Sequence, residues 1–269
     1  MNKYTLVTAL FVLLLNSCTS LEESDEIIKK DIIVQVDENK KFIKYLESDW
    51  EETLINNPLF ASYTGDKRFN DKLNPITIDQ FNKDRNLDLE SLIKLNDINP
   101  DKLSEDNKLN YNLKKFDIES DLNLSQFPIY YLRLNQRGGI QSFYETGNRL
   151  VYQSKKDYYD WLSRLEQFSE NILTFLDINK QGLKNGYTQP KLVTRGVVAQ
   201  IDAIINSDIE SNPYLKVFLE ADENLLTPTE KEDLINKAKT LINNEINPAY
   251  EELNNFLKDD YLVNSRDSI

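Results

Sequence analysis

Apolar residues return every three or four positions through most of this chain, and that period constrains its fold more than anything else in the sequence. Tyr158, Trp161, Leu162, Leu165, Phe168, Ile172 and Leu176 draw one continuous stripe. Their helix is opened by Ser154 with Asp157 and closed before Asn185-Gly186. Phe42, Tyr45, Leu46, Trp50 and Leu54 form a second stripe over residues 37–56. Asn57-Pro58 starts a short helix that Gly65 closes, and Thr77 with Gln80 opens one running to about Asp97. Ser104 caps the next, with Leu109, Leu113 and Phe116 facing inward.

Pro190 begins another helix, with Val193, Val197, Ile201 and Ile204 on one face. Gly196 lies inside it, where a close helix crossing would offset a cost of about 1 kcal/mol relative to alanine. Asn212-Pro213 begins a short helix. Thr229 caps a long one to about Asp260, with Leu234, Ala238, Leu241, Leu253 and Phe256 inward and a bend at Pro248. Only seven Gly and eight Pro in 269 residues leave little for the dense turns of a β-architecture. The fold class expected is all-α, a multi-helix array without the repeats of a helical solenoid. Residues 123–147 break the pattern: Phe127 to Leu132 favours extended chain, and Gly138, Gly139 and Gly147 follow, predicting a long loop or a short hairpin.

The chain has no histidine. Its own residues therefore cannot build a Ser-His-Asp or Cys-His nucleophile, a histidine-bearing zinc site or an imidazole proton shuttle. Asp and Glu number 45 against 32 Lys and Arg, a net charge of -13, and no basic stripe offers a surface to nucleic acid. Glycine-rich phosphate loops, Cys-x-x-Cys pairs, calcium loops and Gly-x-Ser-x-Gly elbows are also missing from the sequence. Carboxylate pairs such as Glu22-Glu23, Glu51-Glu52 and Glu251-Glu252 read as solvated helix faces, because an acid/base dyad needs burial and opposed pKa shifts.

The first residues read as an address. Lys3 precedes an apolar run from Leu6 to Leu15, too short to span a bilayer, and Leu15-Asn16-Ser17-Cys18 resembles a bacterial lipobox. Cys18 is the single cysteine, so it has no internal disulfide partner, and lipidation gives it a use. The expected division is a signal peptide over 1–17, an acidic tether and lead-in over 18–36, and a helical domain over 37–269. Several acyl chains on Cys18 would anchor the protein in the bacterial cell envelope, at the outer membrane. Leu21 to Glu26 is either a solvated tether or a surface-export signal.

One loop stands apart as a binding candidate. Arg133-Leu134-Asn135-Gln136-Arg137-Gly138-Gly139 combines two guanidinium groups, two amides and paired glycines. Arg133, Arg137 and the Gly138–Gly139 backbone have the chemistry to hold a substrate carboxylate. The alternative is a tight turn whose arginines meet nearby acids.

Five stretches stand in order along the chain: Asn57-Pro58-Leu59-Phe60-Ala61-Ser62-Tyr63-Thr64-Gly65-Asp66-Lys67-Arg68-Phe69-Asn70-Asp71-Lys72-Leu73, Leu103-Ser104-Glu105-Asp106, Gln136-Arg137-Gly138-Gly139, Gly182 to Lys191, and Tyr250 to Phe256 with Tyr261 and Arg266. Their order resembles a bacterial family known as domain of unknown function 885. The resemblance covers about residues 40–269. It implies a chain about half the family's length and one half of a helical zinc-peptidase clamshell. In that family a later His-Glu…His helix holds zinc while a Glu polarises its water. No residue here matches that helix, so the resemblance implies zinc only in a missing C-terminal half and no cofactor in this chain. Two functions follow: a lipid-anchored cleft wall for peptides, not catalytically competent alone, or a complete non-enzymatic lipoprotein acting as a binding module.

Overall fold

A computed structural model describes the backbone of residues 3–267 and the side chains from residue 26 onward, save those of 27, 28 and 35. It is an array of helices, with no strand among the described residues. The backbone divides into two units, Met1–Trp50 with Leu87–Leu122, and Glu51–Asn86 with Asn123–Ile269.

The first unit takes its helices from α1 (Lys3–Asn56), the later part of α3 (Ile78–Asn96) and α4 (Glu105–Leu124). Its core is Phe42, Tyr45, Leu95, Ile98, Leu103, Tyr111 and Ile118. A polar chain reinforces it: the Tyr45 hydroxyl lies 2.7 Å from Ser91 Oγ, which donates to Asp49 Oδ1 at 2.6 Å. Lys114 meets the same carboxylate at 2.6 Å.

Three expectations need correction here. Helix α1 begins well before residue 37, so the 18–36 stretch is helical too; the side chain of Cys18 lies outside those described. Leu109, Leu113 and Phe116 are 60%, 53% and 67% exposed, not inward. Helix α4 carries two apolar stripes, and the one through Tyr111 and Ile118 is buried; the period alone does not choose between them. Trp50 is likewise exposed. Ser104 stands at the start of α4 as expected, its carbonyl accepting from Lys108 N at 2.8 Å, while its own N–H and hydroxyl go to Asn39 Oδ1, each at 3.1 Å.

The second unit holds α2 (Pro58–Tyr63), the start of α3, α5 (Tyr144–Arg149), α6 (Lys155–Glu166), α7 (Phe168–Lys184) and α8 (Lys191–Ile205). It continues with α9 (Lys216–Leu219), α10 (Pro228–Leu241), α11 (Asn247–Phe256) and α12 (Leu262–Asn264). The expected stripe from Tyr158 to Leu176 is buried along its whole length and forms the centre of a large core with Val197, Ile201, Tyr214, Phe218, Tyr250 and Tyr261. Its helix is nevertheless broken at Gln167, whose side chain turns outward to another segment.

Ser154 and Asp157 form the capping box the sequence indicates. At α10 the capping residue is Thr227, not Thr229: the Thr227 hydroxyl accepts from Glu230 N at 3.3 Å, and Glu230 Oε2 accepts from Thr227 N at 2.9 Å. Pro248 does not simply bend the long helix. A π-turn over Ile242–Ile246 precedes it, and a wider turn relieves the clash of the ring with the carbonyls before it. A second π-turn occupies Leu257–Tyr261. The 123–147 segment makes 3₁₀ turns at Ile129–Leu132 and Ile140–Ser142 and then α5, rather than a hairpin. At Gly196 a loop, not a helix, comes close: a Cβ there would run into Gln136 Oε1.

Candidate functional site

Three polar residues interrupt the apolar stripe of α6 and α7 at i, i+3 and i+7: Arg164, Gln167 and Asn171. Each reaches the segment between Pro58 and Ile76. Arg164, fully buried, donates from Nε to Lys72 O at 2.9 Å and from Nη2 to Pro58 O at 3.1 Å, Ser62 Oγ at 2.7 Å and Phe69 O at 3.1 Å. Gln167 gives its amide to Asp71 O at 2.8 Å and accepts from Leu73 N at 3.1 Å. Asn171 gives to Asn74 O at 2.9 Å and accepts from Ile76 N at 3.1 Å. Backbone groups of that irregular segment are thus bonded by side chains from α6, the turn at Gln167 and α7. Burial lowers the Arg164 guanidinium to about 10, since its partners are carbonyls and a hydroxyl rather than a carboxylate.

Lys67, from the same segment, meets Asp157 at 2.9 Å. Burial pushes the Asp157 carboxyl up, but hydrogen bonds from the Gln153 N–H, the Lys67 ammonium and Ser154 outweigh it and leave the pKa lowered.

The segment so fixed forms one side of a cleft of about 600 Å³. Leu59, Phe60 and Tyr63 line it from α2, and Gln80, Phe81 and Asp84 from the start of α3. Phe168, Asn171 and Phe175 form its floor with Ile140 and Phe143, and Phe143 stacks on Phe168 at 4.3 Å with 22° between the rings. Arg133, Gly138 and Gly139 complete it. The expected carboxylate-binding group is therefore brought together in part: Arg133 and both glycines line the cleft and Arg137 does not; the backbone N–H of Arg137 donates to Asn135 Oδ1 at 2.9 Å.

Arg133 lies 4.9 Å from the Phe81 ring centroid. It keeps access to solvent, yet loss of surrounding water lowers its pKa, and the charge of Asp84 acts the other way. Arginine stays charged under such a shift. Gly139 is required by space: a Cβ would come within 2.6 Å of Gln141 Oε1 and 2.8 Å of Asn135 O. Tyr250 holds this wall from behind, donating to Ile140 O at 2.8 Å, with the Tyr214 hydroxyl 2.7 Å from its own.

With the cleft defined, comparison with known proteins decides the family. The model of a bacterial protein family of unknown function, DUF885, matches residues 58–268. This chain belongs to the DUF885 family. The match starts with the segment that Arg164, Gln167 and Asn171 hold in place. No curated protein matches the chain. Among solved structures it is similar to "the putative lipoprotein from Colwellia psychrerythraea", at a TM-score of 0.66 and 15% identity, over 87% of this chain and 42% of that one. That likeness supports the all-helical fold, and the DUF885 chain described here spans less than half the length of that relative.

Zinc does not fit the residues present. The chain has no histidine, and among the described residues no group of three or more Cys, Asp and Glu is placed to hold a metal ion. Nor is any helix, among those residues, long and apolar enough to cross a membrane.

Proposed function

We propose that this chain is the amino-terminal wall of a peptide-binding cleft in a larger, zinc-metallopeptidase-like envelope protein, anchored by acyl chains on Cys18, and that alone it binds peptides without hydrolysing them. The observation that carries this is the cleft: aromatic floor and walls, one guanidinium at its edge, and no set of side chains that would activate water. Apolar walls with few oriented polar groups are what a ligand site requires. The share of the longer relative that this chain covers supports a larger whole. So does the unit that leaves Leu109, Leu113 and Phe116 in solvent, since a row of exposed apolar residues marks a surface that binds something. The lipobox at Leu15 to Cys18 supports anchoring in the cell envelope, at the outer membrane.

A complete binding module that needs no further domain is the second reading. It is favoured by the thorough closure of the other unit's core, where Tyr214, Tyr250 and Tyr261 are all fully buried. Both readings use the same cleft.

The test is a titration of the full chain in detergent with an aromatic-rich heptapeptide blocked at both ends, with zinc supplied in a parallel cleavage assay. Binding that Phe81→Ala weakens, with no cleavage, is expected. Failure to bind a peptide with either a free or a blocked carboxyl end, or turnover traceable to this chain, overturns the proposal.

A further inference from the structure

We infer that the cleft takes the carboxy-terminal residue of its ligand, with a bulky apolar side chain against Phe143, Phe168 and Phe175 and the free α-carboxylate at Arg133. This rests on the reading of the cleft as a peptide site and narrows it to one end of the chain.

The floor is rigid before any ligand arrives. Phe168 and Phe175 are 1% and 4% exposed, so their own helix packing fixes them, and Phe143 stacks on Phe168. An aromatic or large aliphatic side chain placed there buries its surface without rearranging the site.

The polar end is set by Arg133. Its guanidinium carbon lies over the Phe81 ring, 4.9 Å from the centroid. No acceptor among the described residues takes a hydrogen bond from its N–H groups, and the two-pronged geometry of a carboxylate matches their fork. Arg133 has no ion-pair partner among the described residues, and the cleft's own carboxylate, Asp84, already accepts from Gln80 Nε2 at 2.7 Å. A residue in the interior of a peptide offers that guanidinium only a neutral carbonyl. A terminal carboxylate offers a full charge in partly displaced water, where a charge-assisted hydrogen bond is about twice as strong as a neutral one.

The experiment compares four probes on the full chain in detergent by titration calorimetry: N-acetyl-phenylalanine, its primary amide, N-acetyl-alanine, and the blocked heptapeptide. N-acetyl-phenylalanine is expected to bind about tenfold tighter than its amide, and tighter than N-acetyl-alanine. Arg133→Gln should erase the difference between acid and amide, Arg133→Lys should keep part of it, and Asp84→Asn should strengthen binding of the acid. Because Arg133 is exposed, its replacement leaves the core intact, and an unchanged circular dichroism melt checks this. Equal binding of acid and amide, or a difference that survives Arg133→Gln, overturns the inference. If the heptapeptide binds as well as the acid, the wall stands and the terminal specificity falls; if no probe binds, both fall.

Discussion

The two units make different use of the same amphipathic pattern. In the second, Trp161, Phe168, Tyr214 and Tyr250 close a continuous core around which seven helices are arranged. In the first, a few side chains about Phe42, Leu95 and Tyr111 suffice, and whole apolar rows stay in solvent: Leu109, Leu113 and Phe116 on α4, and Ile33, Val36 and Ile43 on α1. Helical periodicity says that a face is apolar. Whether anything covers it depends on the neighbours the chain supplies.

The contrast breaks most visibly under large truncations. Trp161→Ala in the second unit is expected to cost about 3–5 kcal/mol, because a fully buried ring leaves a cavity that a rigid core does not refill. Phe116→Ser in the first is expected to change stability by no more than about 0.5 kcal/mol and to raise solubility. Denaturant unfolding of both variants checks the pair, and comparable losses would mean that the exposed row is covered in solution.

A smaller effect probes the polar chain of the first unit. Tyr45→Phe removes the hydroxyl that lies 2.7 Å from Ser91 Oγ, and a loss of about 1 kcal/mol is expected by the same measurement. No loss would assign that unit's stability wholly to its apolar contacts.

The smallest effect is a pH dependence in the second unit. Hydrogen bonds from the Thr227 N–H, the Lys155 ammonium and the Thr227 hydroxyl hold the Glu230 carboxyl at about 2, against an ordinary 4.5. The folded state therefore binds fewer protons than the unfolded one in that window. The stability Glu230 lends is complete above about 4.5 and disappears as pH falls through about 2. Glu230→Gln should flatten the dependence of Tm on pH across that interval. Parallel curves for the two proteins would assign no stabilising role to the capping carboxylate.

Helix starts were legible in the sequence wherever a polar side chain turns back onto its own backbone, as at Ser154 with Asp157. One was misplaced where two threonines compete, at Thr227 and Thr229. Of the candidate site, Arg133, Gly138 and Gly139 were visible as a cluster because glycine pairs and arginines are scarce in an acidic helical chain. Arg137 was indistinguishable from Arg133 in the sequence, and of the two only Arg133 lines the cleft. Arg164, Gln167 and Asn171 were missed. A polar residue on an apolar stripe looks like noise until the carbonyls it faces are known, and those lie about a hundred positions earlier. Their spacing of three and four was the signal available.

The wide turn ahead of Pro248 links helix length to the shape of the ligand site. Winding 242–246 as ordinary helix with the same number of residues would swing every later residue by about 100° around the axis. Tyr250 would then lose both Ile140 and Tyr214, and the glycine wall would lose its backing. Lineages that lose the wide turn while keeping its residue count would be expected to diverge in what they bind, even with every cleft-facing side chain unchanged.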